Sequence, residues 1–459
     1  MRYLPIITVV LIALFAAIYA PALGHGFIKD DFRWIASAEV RSPADLARIF
    51  TTNVGFYRPL VTTSFAIDRA LWNLDARGYA LTNVTLLLGN AGLLFLLARV
   101  VSLSREGALF AAAVWAFNFH GINMALLWTS GRTALLLCLF AQAAALVVLS
   151  GRRWAPVLAG VLALAAMLSK EEAVLLPPLL VVLQLLSRRQ SDARAILGNS
   201  WPLCAALLIY LLARGQSGAF TLVNAPEYYR PTFNLAAVLK NIGEYLDRGA
   251  TFATVASIAA WLAAPQGMTL TADERRTIRI GITWFVAMYA ITIFVPVRSS
   301  LYAVAPSIGS ALVAGAVASR AWRTAPARFA RVASTMILVI ALLLPVYRSR
   351  NHGLVEPAEL ATQSLATIQA GSRGRPEARD IVLIDDPQAP VTLDSAFGAL
   401  FPDAIHLFVG SDVDGTITNH PLTVVVGDPL VFALRGGRLV QQRARISGSP
   451  AESRASHSG

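Results

Sequence analysis

Tyr3-Leu-Pro-Ile-Ile-Thr-Val-Val-Leu-Ile-Ala-Leu-Phe-Ala-Ala-Ile-Tyr-Ala-Pro-Ala-Leu23 carries no charged residue, and Gly24-His-Gly-Phe-Ile-Lys-Asp-Asp-Phe-Arg-Trp34 follows it at once. An apolar run of about 20 residues matches the hydrocarbon thickness of a bilayer. The second stretch therefore begins just outside a membrane. Lys29, Arg33 and Trp34 are ordinary interfacial anchors, but the adjacent carboxylates of Asp30 and Asp31 are not. Ionisable groups beside a membrane-embedded cavity mark chemistry or transport. Only Arg2 precedes the run and no Ala-x-Ala cleavage site follows it, which predicts an uncleaved first span rather than a signal peptide.

The rest of the composition agrees. Of 459 residues 56% are hydrophobic and 14% charged, with mean hydropathy +0.58, where a soluble domain carries about 25% charged residues. The class is a polytopic α-helical membrane protein. Net charge is +12, but residues 351–459 hold 8 Arg and Lys against 12 Asp and Glu, so the first 350 carry +16. Most of that excess lies in short links between apolar runs, which is a topology signal and not a nucleic-acid surface. Cys138 and Cys204 both sit in apolar runs, so neither a disulfide framework nor a metal cluster is expected.

Eleven apolar runs stand out: 3–23, 79–99, 107–127, 133–150, 154–169, 173–187, 195–213, 248–264, 279–297, 301–319 and 330–347. Arginines fall in every second link, at 99 and 105, 152 and 153, 188 to 194, 275 to 279, and 320 to 331. Placing these inside predicts a cytoplasmic N-terminus, the Asp30–Asp31 loop outside, and a C-terminal region outside an inner membrane. In the first outer loop Ser42-Pro43 predicts a capped short helix, and Val61–Trp72 a second, amphipathic one lying on the membrane face.

Beyond Arg350 the character changes. Pro357–Ala370 reads as a helix with Pro357 in its first turn and Gly371 ending it. Ile381–Ile384, Ile405–Val409 and Leu422–Val426 read as strands between Asp, Pro and Gly turns. The expectation is a membrane domain over 1–350, a small soluble α/β domain over 351–446 and a disordered tail over 447–459. Asp412-Val-Asp-Gly415 opens like a calcium loop but lacks the remaining ligands, so no metal site is expected.

Phe27–Asp31 and Tyr57-Arg-Pro-Leu60 together resemble the GT-C class of membrane glycosyltransferases. Within it the chain is similar to bacterial relatives of the transmembrane O-mannosyltransferases that carry tetratricopeptide repeats. Gly78-Tyr-Ala-Leu-Thr-Asn83, Trp128-Thr-Ser-Gly-Arg132, Ser169-Lys-Glu171 with Pro177, and Arg298 through Tyr302-Ala-Val-Ala-Pro-Ser-Ile-Gly309 match further motifs in order. The resemblance covers roughly residues 1–320. It departs at Phe119-His-Gly-Ile-Asn-Met124, where relatives carry His-Pro-x-His-x-Glu, and no tetratricopeptide array follows.

The apolar runs predict about eleven transmembrane helices, and the resemblance implies an inverting transfer of a hexosyl or pentosyl group from a polyprenyl-phosphate donor. The acceptor would be a glycan, lipid or protein outside the membrane. It implies Asp30 as general base, with Asp31 orienting the acceptor or Asp30 itself. Arg58, His120, Arg132, Lys170, Glu171, Arg298 and Tyr302 would contact substrate, since arginine grips phosphate bidentately and a fixed cation stabilises a departing oxygen. No cofactor is expected beyond the lipid-phosphate sugar as substrate, and a divalent metal is left open. For each arginine the plain alternative is anchoring at lipid headgroups. For the whole chain the alternatives are a transporter or flippase for a lipid-linked or anionic solute, and a non-catalytic assembly protein of the same fold. The crowding of polar residues at one membrane face favours an enzyme over the transporter, whose polar residues line the midplane.

Overall fold

The computed structural model describes residues 4–53, 55–187, 193–221, 223–265, 268–420 and 428–442. In chain order it contains α1 (Leu4–Tyr19), α2 (Asp30–Ser37), α3 (Pro43–Ile49), α4 (Pro59–Trp72), α5 (Ala76–Val100), α6 (Arg105–Ala116), α7 (Ile122–Leu127), α8 (Arg132–Leu149), α9 (Ala155–Met167) and α10 (Leu176–Ser187). There follow α11 (Ala193–Gly198), α12 (Trp201–Gln216), α13 (Leu235–Leu262), α14 (Ala272–Tyr289), α15 (Pro306–Thr324), α16 (Pro326–Leu342) and α17 (Leu344–Gly374). The chain then forms β1 (Asp380–Ile384), α18 (Leu393–Phe397), α19 (Phe401–Phe408), β2 (Asp414–Thr418), β3 (Leu430–Arg435) and β4 (Arg438–Gln442). Two compact units result: Met1–Gly24 with Val40–Asn351, and His25–Glu39 with His352–Gly459.

Among the described residues the first unit forms helices and no strand. Five helical segments among the described residues are long and apolar enough to cross a membrane: Pro5–Ala22, Ala76–Val100, Thr129–Leu149, Ala193–Gln216 and Ala272–Phe294. A sixth is the pair α16 and α17, bent by 47°. The protein is thus a multi-pass membrane protein. The eleven apolar runs do not convert one for one into spans, for local reasons. The run 107–127 breaks between α6 and α7 because Asn118 and Gly121 favour a turn. The run 173–187 becomes helical only at Leu176, ahead of Pro177 and Pro178. The run 248–264 is the second half of α13, whose start is fixed earlier by the Asn234 side chain accepting the Ala237 N–H at 3.2 Å.

Small residues set how closely these helices approach. A Cβ on Gly281 would lie 2.5 Å from the Gly309 carbonyl, and one on Gly107 would lie 2.7 Å from that of Gly315. Both α14 and α6 therefore lie directly against α15. Buried amides join α5 to α8: the Gln142 Nε2 donates to Asn90 Oδ1 at 2.8 Å, and the Asn90 amide donates to the Leu135 carbonyl at 2.9 Å. The capped helix expected after Ser42 is α3, with a reciprocal Ser42–Asp45 capping box.

The second unit is α/β. Its sheet has the order β2-β1-β3-β4, with β1 parallel to both β2 and β3. The antiparallel β3–β4 hairpin turns at Gly436 and Gly437, both at positive φ, as a tight two-residue turn requires. The expected strand at 405–409 is instead part of α19. Pro402 suits a first helical turn, and Phe401, Ala404 and Ile405 bury one helical face. Pro357 lies inside α17 rather than in its first turn, and the helix runs past Gly371. The ring removes one backbone hydrogen bond, a cost of about 3 kcal/mol in an isolated helix, which burial of Ala358, Ala361, Leu365 and Ile368 offsets. Asp412 pairs with Arg379, and Asp414 begins β2. The expected strand 422–426 and the whole of the expected tail lie outside the described residues.

Residues 25–39, which carry the aspartate pair, are built into this second unit. Phe32 is fully buried and stacks on Phe397 with centroids 5.6 Å apart. The Lys29 N–H donates to the Ala396 carbonyl at 3.0 Å, and Arg33 meets Asp403 at 3.2 Å. Gly26 adopts φ +122°, and a Cβ there would collide with the Thr362 hydroxyl and come within 3.0 Å of the Ala358 carbonyl. Gly26→Ala is expected to destabilise this unit by about 1–3 kcal/mol, read as faster amide exchange in residues 25–39. Unchanged exchange there would contradict this packing.

Candidate active site

Arg58 is held by the chain around it. Pro59 bars it from the helical region, so it ends the loop and caps α4 with φ −134° and ψ 60°. Phe56 lies under its guanidinium, 4.2 Å from ring centroid to Cζ. Across from it, α9 ends at Met167, Lys170 is extended, and a 3₁₀ turn starts at Glu171. This change of backbone aims Glu171 and Glu172 at different cations. Glu171 takes Arg58 bidentately, Nε to Oε2 at 2.8 Å and Nη2 to Oε1 at 2.5 Å. Glu172 takes Lys170 at 2.9 Å, with Lys170 only 2% exposed.

Tyr302, in the turn before α15, completes the cluster with its ring centroid 4.7 Å from Lys170 Nζ. Its edge faces Tyr245 at 6.3 Å, and Tyr245 stacks on Tyr289 at 4.9 Å. Arg298 lies on the next part of the same rim, donating from Nε to Asn241 Oδ1 and from Nη1 to Glu244 Oε1, each at 2.9 Å. Glu244 also takes Arg248 at 2.9 Å. His120 closes the series, 3.9 Å from Asp247 and with its ring against Phe119. Burial and the neighbouring Arg350 hold the His120 imidazole below its ordinary range, Asp247 opposing them.

Arg58, Lys170, Glu171, Arg298, Tyr302 and His120 thus belong to one polar strip in the first unit. Arg132 does not. It is fully buried, paired with Asp68 at 2.6 Å, covered by Phe65 at 4.2 Å, and bonded to Asn83 Oδ1 and the Tyr79 carbonyl. It ties α4, α5 and α8 together. Asp30 and Asp31 open α2 in the other unit. Asp30 is exposed, whereas Asp31 is 1% exposed and accepts the Ile28 N–H at 3.0 Å. Glu172, Glu244 and Asp247 also belong to the strip, although they are not among the expected site residues. Glu172 had a signal, because a second carboxylate beside the lysine needs a partner once buried. Glu244 and Asp247 reach the strip only by folding of α13.

Every cation of the strip is already partnered, which changes what it can do. An arginine has five N–H donors, and Arg58 gives two to Glu171, leaving three directed elsewhere. Burial alone would raise the Glu171 carboxyl, but the charge and hydrogen bonds of Arg58 hold it down at about 2. Its pairing energy is therefore present above the ordinary carboxylate value and lost as pH falls toward 2. In Arg58→Gln burial acts unopposed by that guanidinium and the folded-state pKa rises, so stability should fall as pH rises from about 5 to about 8. Thermal unfolding of wild type should lack this added decline over that window. Parallel profiles would contradict the pairing.

No family model matches the chain. A stretch of 199 aligned residues, 39% of the chain, is 33% identical to protein O-mannosyl-transferase Tmtc1 of Drosophila melanogaster and is homologous to it. That match spans 23% of the fly protein. Two cryo-EM structures of the mycobacterial arabinofuranosyltransferase AftD also align. One has TM-score 0.48 and 14% identity over 91% of this chain and 32% of that one. The other, of a variant, has TM-score 0.44 and 14% identity over 85% and 31%. Neither structural alignment bears on function at that level.

Proposed function

We propose that the protein is a membrane glycosyltransferase that moves a sugar from a polyprenyl-phosphate donor to an acceptor hydroxyl on the outer face of an inner membrane. The observation that carries this reading is the homology to an O-mannosyltransferase. The cation-rich strip supports it: Arg58, Lys170 and Arg298 keep donors in reserve for a phosphate while their carboxylates hold them in fixed geometry. Fixed donors stabilise developing charge without reorganisation.

In this reading the acceptor oxygen attacks the anomeric carbon, the bond from that carbon to the phosphate oxygen breaks, and the lipid phosphate leaves with its electron pair. A single displacement of this kind inverts the anomeric centre. The acceptor proton passes to a carboxylate, a role that the motif resemblance gives to Asp30, the exposed member of the pair. Asp31, turned inward onto the Ile28 N–H, positions the start of α2. Tyr302 and His120 line the donor strip, and Glu171 orients Arg58.

Membranes carrying the full chain should transfer label from a radiolabelled polyprenyl-phosphate hexose or pentose to endogenous acceptors. Asp30→Asn should keep donor binding and lower turnover by about 10²–10⁴-fold, while Asp31→Asn should cost less turnover and more protein stability. Near wild-type turnover by purified Asp30→Asn would remove Asp30 as base. Donor binding with no transfer to any acceptor would favour the assembly protein, and donor translocation without transfer the flippase.

A further inference from the structure

A cavity of about 430 Å³ lies in the first unit, away from the polar strip. Ile7 and Leu11 of α1, Phe110 of α6, Trp322 of α15 and Ile337 of α16 line it, with Glu106 at one end. Its lining on α16 extends from Phe329 to Ile340, about 16 Å along the axis. The walls are otherwise almost wholly apolar. The wall formed by α1 is thinly packed: only 17% of its apolar stretch is buried, and Ile6, Val9 and Ile12 are exposed.

The helix ends around this cavity share one face of the bundle. The starts of α1, α6 and α16 and the end of α15 all contribute lining residues. Beside them stand Arg105, next to Glu106, and Arg328 and Arg331, which bracket Phe329 and Ala330. All three arginines are exposed. Among the described residues neither they nor Glu106 make a side-chain hydrogen bond or ion pair, which leaves this mouth cationic. That differs from the polar strip, where each cation is matched by a carboxylate. An apolar slot long enough for an alkyl chain, with unmatched arginines at its mouth, is complementary to an anionic amphiphile.

We infer that this groove binds an acyl chain of an anionic phospholipid from the leaflet on the N-terminal side, whose phosphate meets Arg105, Arg328 and Arg331. The lipid fills the space under α1 and completes the packing of that helix against α6 and α16. This is independent of the donor strip, whose cations lie on other segments.

The test uses the full chain, purified in mild detergent, depleted of lipid and exchanged into nanodiscs of phosphatidylcholine with or without phosphatidylglycerol. Native mass spectrometry after release should find about one retained phosphatidylglycerol per chain in preference to phosphatidylcholine. Arg328→Gln with Arg331→Gln should lower that preference by about tenfold or more. Ala333→Trp, which places an indole in the groove, should abolish retention, and Ala113→Phe does the same from the opposite wall should Ala333→Trp fail to fold. Equal retention of the two lipids by wild type, or undiminished retention by a folded groove variant, would overturn the inference.

Discussion

Charge buried beside a bilayer has to be matched, and the pairing of Arg58 with Glu171 and Lys170 with Glu172 is the constraint on which the first unit turns. Lys170 and Glu172 are buried, and removing one partner of such a pair costs about 3–5 kcal/mol because the other is left stranded, less for the half-buried Arg58 and Glu171. The pairs therefore fix where the loop before α4 meets the turn after α9. The extended Lys170 and the proline after Arg58 are the local means of doing so. The same pairs make the cations rigid without consuming all their donors, which is the condition for gripping a phosphate.

Much of this was legible in the sequence. Composition and apolar runs identify a polytopic membrane protein, Ser42-Pro43 marks α3, and Ile381–Ile384 marks β1. The residues that gather in the strip came from motif order, since Arg58, Lys170 and Tyr302 lie more than a hundred positions apart in sequence. What escaped was partnership. Nothing local says that Arg132 is buried on Asp68 or that Glu244 of α13 takes Arg298. The short apolar run at 405–409 fits both periods, so a segment that is helical in α19 reads as a strand. The proline inside α17 broke a local rule that burial of the surrounding residues overrode.

The aspartate pair illustrates how adjacent residues part company. At the start of α2 successive side chains diverge, so Asp31 turns inward to a backbone amide while Asp30 keeps its carboxylate outside. Phe32 and the Lys29 amide anchor this segment to α18 and its neighbours. The α/β unit is thus a support for the aspartate segment.

The central claim is that the partnered cations around Arg58 form a site for a lipid-phosphate sugar. Equilibrium binding of a polyprenyl-phosphate hexose to the purified full chain tests it most directly, comparing wild type with Arg58→Gln and with Arg48→Gln, an exposed arginine outside the strip. The account predicts a loss of affinity of about ten- to a hundredfold for Arg58→Gln and none for Arg48→Gln. Equal affinity of wild type and a folded Arg58→Gln protein would contradict it.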